Sequence, residues 1–203
     1  MLRAVLTAWP VYVSGAAAMS LLALAELVLP ALLQHRDIPI GWAGPLLAGY
    51  SLASALGAYL YGLRTWPGRL HTQSIVLLLA VSACVAAAAL LPALGWIAAA
   101  LLVGGVLESG LQVARSLGLR QALPASALAA GYSVMYAAVG VGYVASASLS
   151  AAMLRISSPI TAMLSGVALT LALTTASAIG ERRLVHAGPA PVARPAKVGT
   201  PAG

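Results

Sequence analysis

Charged residues are scarce in this chain of 203 residues: they make up 7% of it, whereas soluble domains carry about 25%. That scarcity excludes an ordinary water-soluble globule, and the mean hydropathy of +0.96 agrees. The single cysteine, Cys84, excludes an intramolecular disulfide and a thiolate metal cluster. The net charge is +7, but the cations stand singly at the ends of apolar runs, as topology signals do. We therefore expect no nucleic-acid partner.

In place of charge the chain has six apolar runs, each about one bilayer thick. A helix needs roughly 20 apolar residues to cross ~30 Å of hydrocarbon, and an open chain can satisfy its backbone in lipid only as helix. We predict an all-α, multi-pass membrane protein with one domain, residues 1–183, and a disordered basic tail, residues 184–203. The six predicted transmembrane helices cover residues 9–33, 42–63, 72–91, 94–113, 127–151 and 159–179.

The Lys and Arg residues predict the orientation of these helices, because cytoplasmic loops carry an excess of positive charge. Two cations, Arg36 and Arg155, fall on one side of the membrane, and the other nine fall on the opposite side. Both termini are therefore predicted to be cytoplasmic, in the plasma membrane. The nine are Arg3, Arg64, Arg69, Arg115, Arg120, Arg182, Arg183, Arg194 and Lys197.

Small residues recur every four positions in three of the predicted helices. Since lipid tails are as apolar as leucine, helices in a membrane associate through close packing of such residues and through hydroxyl hydrogen bonds. We interpret the three rows as packing faces. They are Gly49, Ala53 and Gly57; Ala138, Gly142, Ser146 and Ser150; and Ala162, Gly166, Thr170, Thr174 and Ala178.

Two acids, Glu26 and Glu108, fall inside predicted transmembrane helices. An ionisable group in hydrocarbon costs at least ~2.5 kcal/mol, so it tends to face a cavity or a partner. Glu108, Gln112 and Arg115 are spaced to share one helix face, which fits either a structural hydrogen-bonding face or a substrate and proton site. For Glu26, with no cation nearby in its own helix, proton handling is favoured. Gln112 and Tyr136 are the other polar candidates at membrane depth.

Enzyme chemistry is not expected from these residues. The three histidines lie near predicted loops without metal-ligand spacing, and no nucleophile and base can be paired. The stretch 140–145, GVGYVA, matches a dinucleotide fingerprint, but it lies inside a membrane-length apolar run and lacks the acid ~20 positions on. We therefore predict no metal and no cofactor.

The end of the second predicted helix resembles the helix–loop–helix motif of the major facilitator superfamily. The run from Gly57 through Gly62 to Arg64, followed by Gly68 and Arg69, has the family's glycine-rich helix end and basic cytoplasmic loop. Tyr61 stands near the position where the full motif carries an Asp. The stretches 41–44, GWAG, and 121–124, QALP, resemble the second half of bacterial family members, and the resemblance extends to about Arg183.

The resemblance implies a six-helix half with 3+3 helix repeats, equivalent to the C-terminal half of a twelve-helix transporter. It implies that the first and fourth helices, which carry Glu26 and Glu108, line a central cavity. Because transporters of this kind work between two halves, we expect a homodimer or a separate N-terminal half as partner. The predicted function is secondary transport of a small solute, with protons as a candidate coupling ion. A non-transporting subunit, a substrate-binding membrane module and an inactive remnant remain alternatives.

Overall fold

The computed structural model describes residues 2–63, 66 and 70–186, and it describes side chains for 5–63, 66, 70 and 72–180. All regular structure in these residues is helical. Short 3-10 turns at Ile40–Trp42 and Ala125–Ala127 precede two of the helices. The α-helices are α1, Leu2–Thr7; α2, Trp9–His35; α3, Ala43–Gly62; α4, Leu70–Leu90; α5, Leu94–Ala122; α6, Leu128–Ile156; and α7, Pro159–His186.

Prolines begin several of these helices. Pro10 lies in the first turn of α2 and Pro159 is the first residue of α7, where a missing N–H costs nothing. Pro124 follows α5 closely, because proline cannot continue a helix.

The end of α2 is fixed by a left-handed residue, Asp37, with φ of 56°. The Asp37 N–H donates to the Gln34 carbonyl at 3.2 Å, and the Ile38 N–H donates to the Leu33 carbonyl at 3.0 Å. These two bonds form a Schellman motif, and Ile38 packs against the core beside Leu33. The motif turns the chain sharply into α3.

Five helices are long and apolar enough to cross a membrane, among the residues that the structure describes. They cover Trp9–His35, Thr72–Leu90, Leu94–Ala122, Ala125–Ile156 and Pro159–Gly180. These five apolar helices are consistent with a membrane-embedded protein. The remaining predicted crossing, residues 42–63, corresponds to α3, which has 20 residues but falls outside this set. Its four glycines, three tyrosines and two serines lower its hydropathy.

Three predicted helix ends were too early. The prediction for α5 stopped at residue 113, whereas the helix continues to Ala122 and includes Arg115 and Arg120. Residues 114–122 contain no proline, and Arg115 finds a partner inside the bundle, so no break occurs. The helix α6 likewise continues to Ile156, and α7 continues to His186, into the predicted tail. Residues 187–203 of that tail lie outside the described part of the chain.

The helix α2 lies at the centre of the bundle. It packs most extensively against α6 and α7, while α5 packs against α3 and α4, and α4 also contacts α7. The fully buried leucines of α2 meet side chains of α4, α5 and α7 in the larger core cluster. Its largest members include Leu21, Leu24, Leu29, Leu32, Leu78, Ile97 and Met163. In lipid this core is held by dispersion contacts of close packing.

The predicted rows of small residues lie at helix contacts. Gly57, Gly142 and Gly166 are buried, and a Cβ at any of them would collide with a neighbouring helix. The Ser20 hydroxyl of α2 donates to the Gly142 carbonyl of α6 at 3.2 Å, and Ser146 of α6 donates back to the Ser20 carbonyl at 2.9 Å. The packing interpretation of these rows is confirmed.

A guanidinium group joins the ends of α2 and α4. Arg36 donates to the carbonyls of Ala88, at 3.3 Å, and of Ala89 and Leu91. These carbonyls lie at the C-terminal end of α4, where the last four have no partner within the helix and carry partial negative charge. Arg36 therefore acts as a cap supplied by another helix.

We expect Arg36→Ala to destabilise the fold by about 2 kcal/mol, because hydrogen bonds to charged groups are worth roughly 1.5–3 kcal/mol. Lysine should restore only part of this, since an ammonium cannot fork to several carbonyls. Cys84, the only thiol of the chain, allows the measurement: thermal exposure of Cys84 to a thiol-reactive dye in detergent reports unfolding. Arg155→Ala, an exposed cation in the last turn of α6, is the control and should melt like the wild type.

Candidate functional site

Glu108 lies near the middle of α5 and is only 2% exposed. Neither of its carboxylate oxygens has a partner within strict hydrogen-bond geometry among the described residues, and the polar side chains that interact with it are Gln112 and Arg115 of the same helix. A buried carboxyl without such a partner is costly, and natural proteins retain such groups mainly where they serve a function. This side chain is therefore the strongest single indication of a site.

Arg115 is buried two turns further along α5, at 6% exposure. Its Nη1 donates to the Gly15 carbonyl of α2 at 3.2 Å, and its Nε has no partner in the described part of the bundle. A Cβ on Gly15 would lie 3.2 Å from Val139 of α6, so the missing side chain brings α2 close to α6 beside this bond. Glu108 and Arg115 share one face of α5 and are electrostatically coupled, but the structure places no direct hydrogen bond between them.

Glu26 lies on the surface of the described bundle and has a partner from another helix. Its Oε2 accepts a hydrogen bond at 3.0 Å from the hydroxyl of Tyr143, which belongs to α6. The pair therefore connects α2 and α6 at membrane depth. Because Glu26 is exposed there, it remains accessible to a solute, a proton or a partner chain.

Tyr50 of α3 lies near both acids. It is 9% exposed, and its phenol lies within electrostatic range of both Glu108 and Glu26. The backbone of α3 approaches α5 closely at this level, since a Cβ on Gly105 would collide with the Tyr50 carbonyl. Three helices therefore bring Glu26, Tyr50 and Glu108 to one region.

Gln112 and Tyr136 complete the exposed part of this region. Gln112 follows Glu108 by one turn and is exposed. Tyr136 of α6 is 66% exposed and lies within electrostatic range of Arg115. We call the six residues Glu26, Tyr50, Glu108, Gln112, Tyr136 and Tyr143 the polar face; it crosses α6, α2, α5 and α3.

The polar face offers carboxyl, amide and phenol groups, which can exchange protons and hydrogen-bond a polar solute. It has no evident nucleophile–base pair for covalent catalysis. Among the described residues, no three His, Cys, Asp or Glu side chains lie close enough together to hold a metal ion.

Of the loop-motif residues, only Gly57 and Gly62 belong to the described part of the chain. Gly57 is buried, and a Cβ there would collide with the Val106 backbone and the Ser109 hydroxyl of α5. Gly62 is exposed and has open space around it. Gly57 therefore serves helix packing. The prediction for Arg64, Gly68 and Arg69 lies outside the described residues.

The sequence analysis named both acids, Gln112 and Tyr136, and it placed Arg115 on the face of α5 that carries Glu108 while also counting Arg115 among the cytoplasmic cations. It did not single out Tyr50, and it did not pair Tyr143 with Glu26. For Tyr50 no signal exists in the sequence. No protein-family model, no curated protein and no solved structure matches this chain.

Proposed function

We propose that this chain forms one six-helix half of a secondary transporter of the major facilitator type that moves a small polar solute across the plasma membrane. The observation that carries the proposal is the polar face: the exposed side chains of Glu26, Gln112 and Tyr136 share one region of the bundle with the buried carboxyl of Glu108. Polar groups presented outward in lipid are costly unless they meet water, solute or a partner. Protons are the proposed coupling ion, with Glu26 and Glu108 as the carriers.

The helix packing supports a 3+3 repeat. The helix α2 packs against α6 and α7, and α5 packs against α3 and α4. If α2, α3 and α4 are exchanged with α5, α6 and α7, this pattern is preserved. Such symmetry is expected of two related three-helix units. In this proposal α3 also crosses the membrane, which brings the number of transmembrane helices to six.

A second half is part of the proposal because one bundle leaves the polar face open. Only 17% of the most apolar stretch of α6 is buried. Its residues Val141 and Val144 are 69% and 63% exposed. We propose that a second copy, or an N-terminal half, covers the surface formed by α3 and α6. Both termini then lie in the cytoplasm; tags at either end that label from outside intact cells would contradict this arrangement.

The test replaces Glu108 and Glu26 by glutamine and follows proton-coupled uptake or efflux of a panel of sugars, amino acids and organic cations in membrane vesicles. We expect each replacement to slow coupled transport by roughly tenfold, which corresponds to about 1.4 kcal/mol. Asp37→Asn removes an exposed acid outside the helices and should leave transport unchanged. Wild-type transport in both glutamine variants would remove these acids from the mechanism.

A further inference from the structure

A concavity that does not belong to the polar face lies between α3, α4 and α5. It has a volume of about 320 Å³ and is lined by Gly57, Tyr61, Trp66, Gln73, Val76 and Gly110, among others. Gly110 follows Glu108 by two residues, which corresponds to about 200° around a helix, so the cavity opens on the opposite side of α5. It is therefore outside the proposed solute path.

Two glycines bring α3 and α5 into close contact at the floor of this cavity. A Cβ on Gly110 would approach the Tyr61 ring to 2.9 Å, and Gly57 lets α3 lie directly on α5. Its rim reaches the outer surface of the bundle, where Leu60 is 47% and Val76 is 58% exposed. The cavity is thus open toward the surrounding membrane and falls at the lower end of the size range of ligand pockets, ~300–1,000 Å³.

The polar groups at one end of the cavity are engaged with one another. Tyr61 donates to the Gln73 Oε1 at 2.6 Å, the Gln73 Nε2 donates to the Trp66 carbonyl at 3.1 Å, and the Trp66 Nε1 donates to the Tyr61 carbonyl at 3.3 Å. The Tyr61 and Trp66 rings stack with centroids 5.4 Å apart. The cavity therefore presents ring faces and aliphatic groups, which select hydrocarbon.

We propose that this cavity binds one acyl chain of a phospholipid from the adjoining leaflet. Trp66 and Tyr61 lie where α3 ends and α4 begins, at the membrane–water interface, which aromatic residues favour. The headgroup accordingly lies beside Trp66, and the chain descends past Val76 toward Gly57. The bound chain fills the cavity between α3, α4 and α5.

Fluorescence of Trp66 tests the proposal in the purified full-length protein. A phospholipid brominated on its acyl chain is added to the protein in detergent, and the loss of tryptophan fluorescence is measured. The quenching of Trp66 is the quenching in the wild type minus the quenching in Trp66→Phe. We expect quenching that saturates at a single phospholipid per chain. Bromines near the headgroup should quench more than bromines near the chain end.

Val76→Phe places a ring across the mouth and should abolish the saturable quenching. Val103→Phe, at a 52% exposed position outside the cavity lining, should retain it. Both variants should melt like the wild type by Cys84 exposure, because both side chains point away from the core. Quenching that never saturates, or that Val76→Phe leaves unchanged, overturns the proposal. Equal saturable quenching by a bromoalkane without a headgroup overturns the assignment to phospholipid.

Discussion

Two glycines of α6, two residues apart, are expected to respond to alanine with opposite signs. A Cβ at Gly142 would overlap the backbone of Ala16 in α2, at the closest approach of the two helices. Gly140 has nothing within 4 Å of its Cβ position. Gly142→Ala should destabilise the fold by about 3 kcal/mol, the upper range for overpacking, because a backbone cannot rotate out of the way. Gly140→Ala should stabilise the helix by roughly 0.5–1 kcal/mol.

The effect at Gly142 is large because hydrogen bonds depend on the same approach. Ser20 donates to the Gly142 carbonyl and Ser146 donates to the Ser20 carbonyl, so separating α2 from α6 breaks both bonds. In lipid, nothing like the hydrophobic effect replaces these contacts. Melting followed by Cys84 exposure should separate the two variants clearly. Equal melting of Gly142→Ala and Gly140→Ala would mean that α2 and α6 do not pack at this point.

The helices could be predicted from the sequence because their cause is local. Apolar runs of bilayer length and prolines at helix starts are visible in the chain, and five of the six predicted membrane helices coincide with helices long and apolar enough to span. The rows of small residues are also local patterns, and Gly57, Gly142 and Gly166 do lie at contacts.

The predicted end of α5 was too early because a tertiary contact, which the local sequence does not show, keeps Arg115 inside the bundle. Arginine was read as a mark of the membrane surface, which holds when the side chain meets water. Arg115 instead meets the Gly15 carbonyl, 100 residues away along the chain, and it is buried. The bond between Tyr143 and Glu26 joins residues 117 positions apart. No spacing within one helix can reveal such partners, so the candidate site could be predicted only in part.

Arg115→Met is expected to be the most damaging charge removal in the bundle, at about 3 kcal/mol of stability. The replacement deletes the bond from Arg115 to Gly15 and leaves Glu108 buried without a cation in its vicinity. Arg120→Met, in the last turn of the same helix, is the control. Arg120 is exposed, and its Nε donates a hydrogen bond to the Tyr132 hydroxyl at 3.4 Å. Its replacement should therefore lower the stability of the fold little.

The double variant Glu108→Gln with Arg115→Met separates structure from function. Glu108→Gln alone should also lower the melting temperature, because it leaves the buried Arg115 without the carboxylate that balances its charge. In the double variant it should restore part of the stability lost with Arg115, since no unbalanced charge then remains in the interior. If the stability losses of the two single variants simply add in the double variant, Glu108 and Arg115 do not interact. Restored melting without restored transport is the result expected if Glu108 carries the coupled proton, because the fold needs charge balance and the proposed mechanism needs the carboxyl itself.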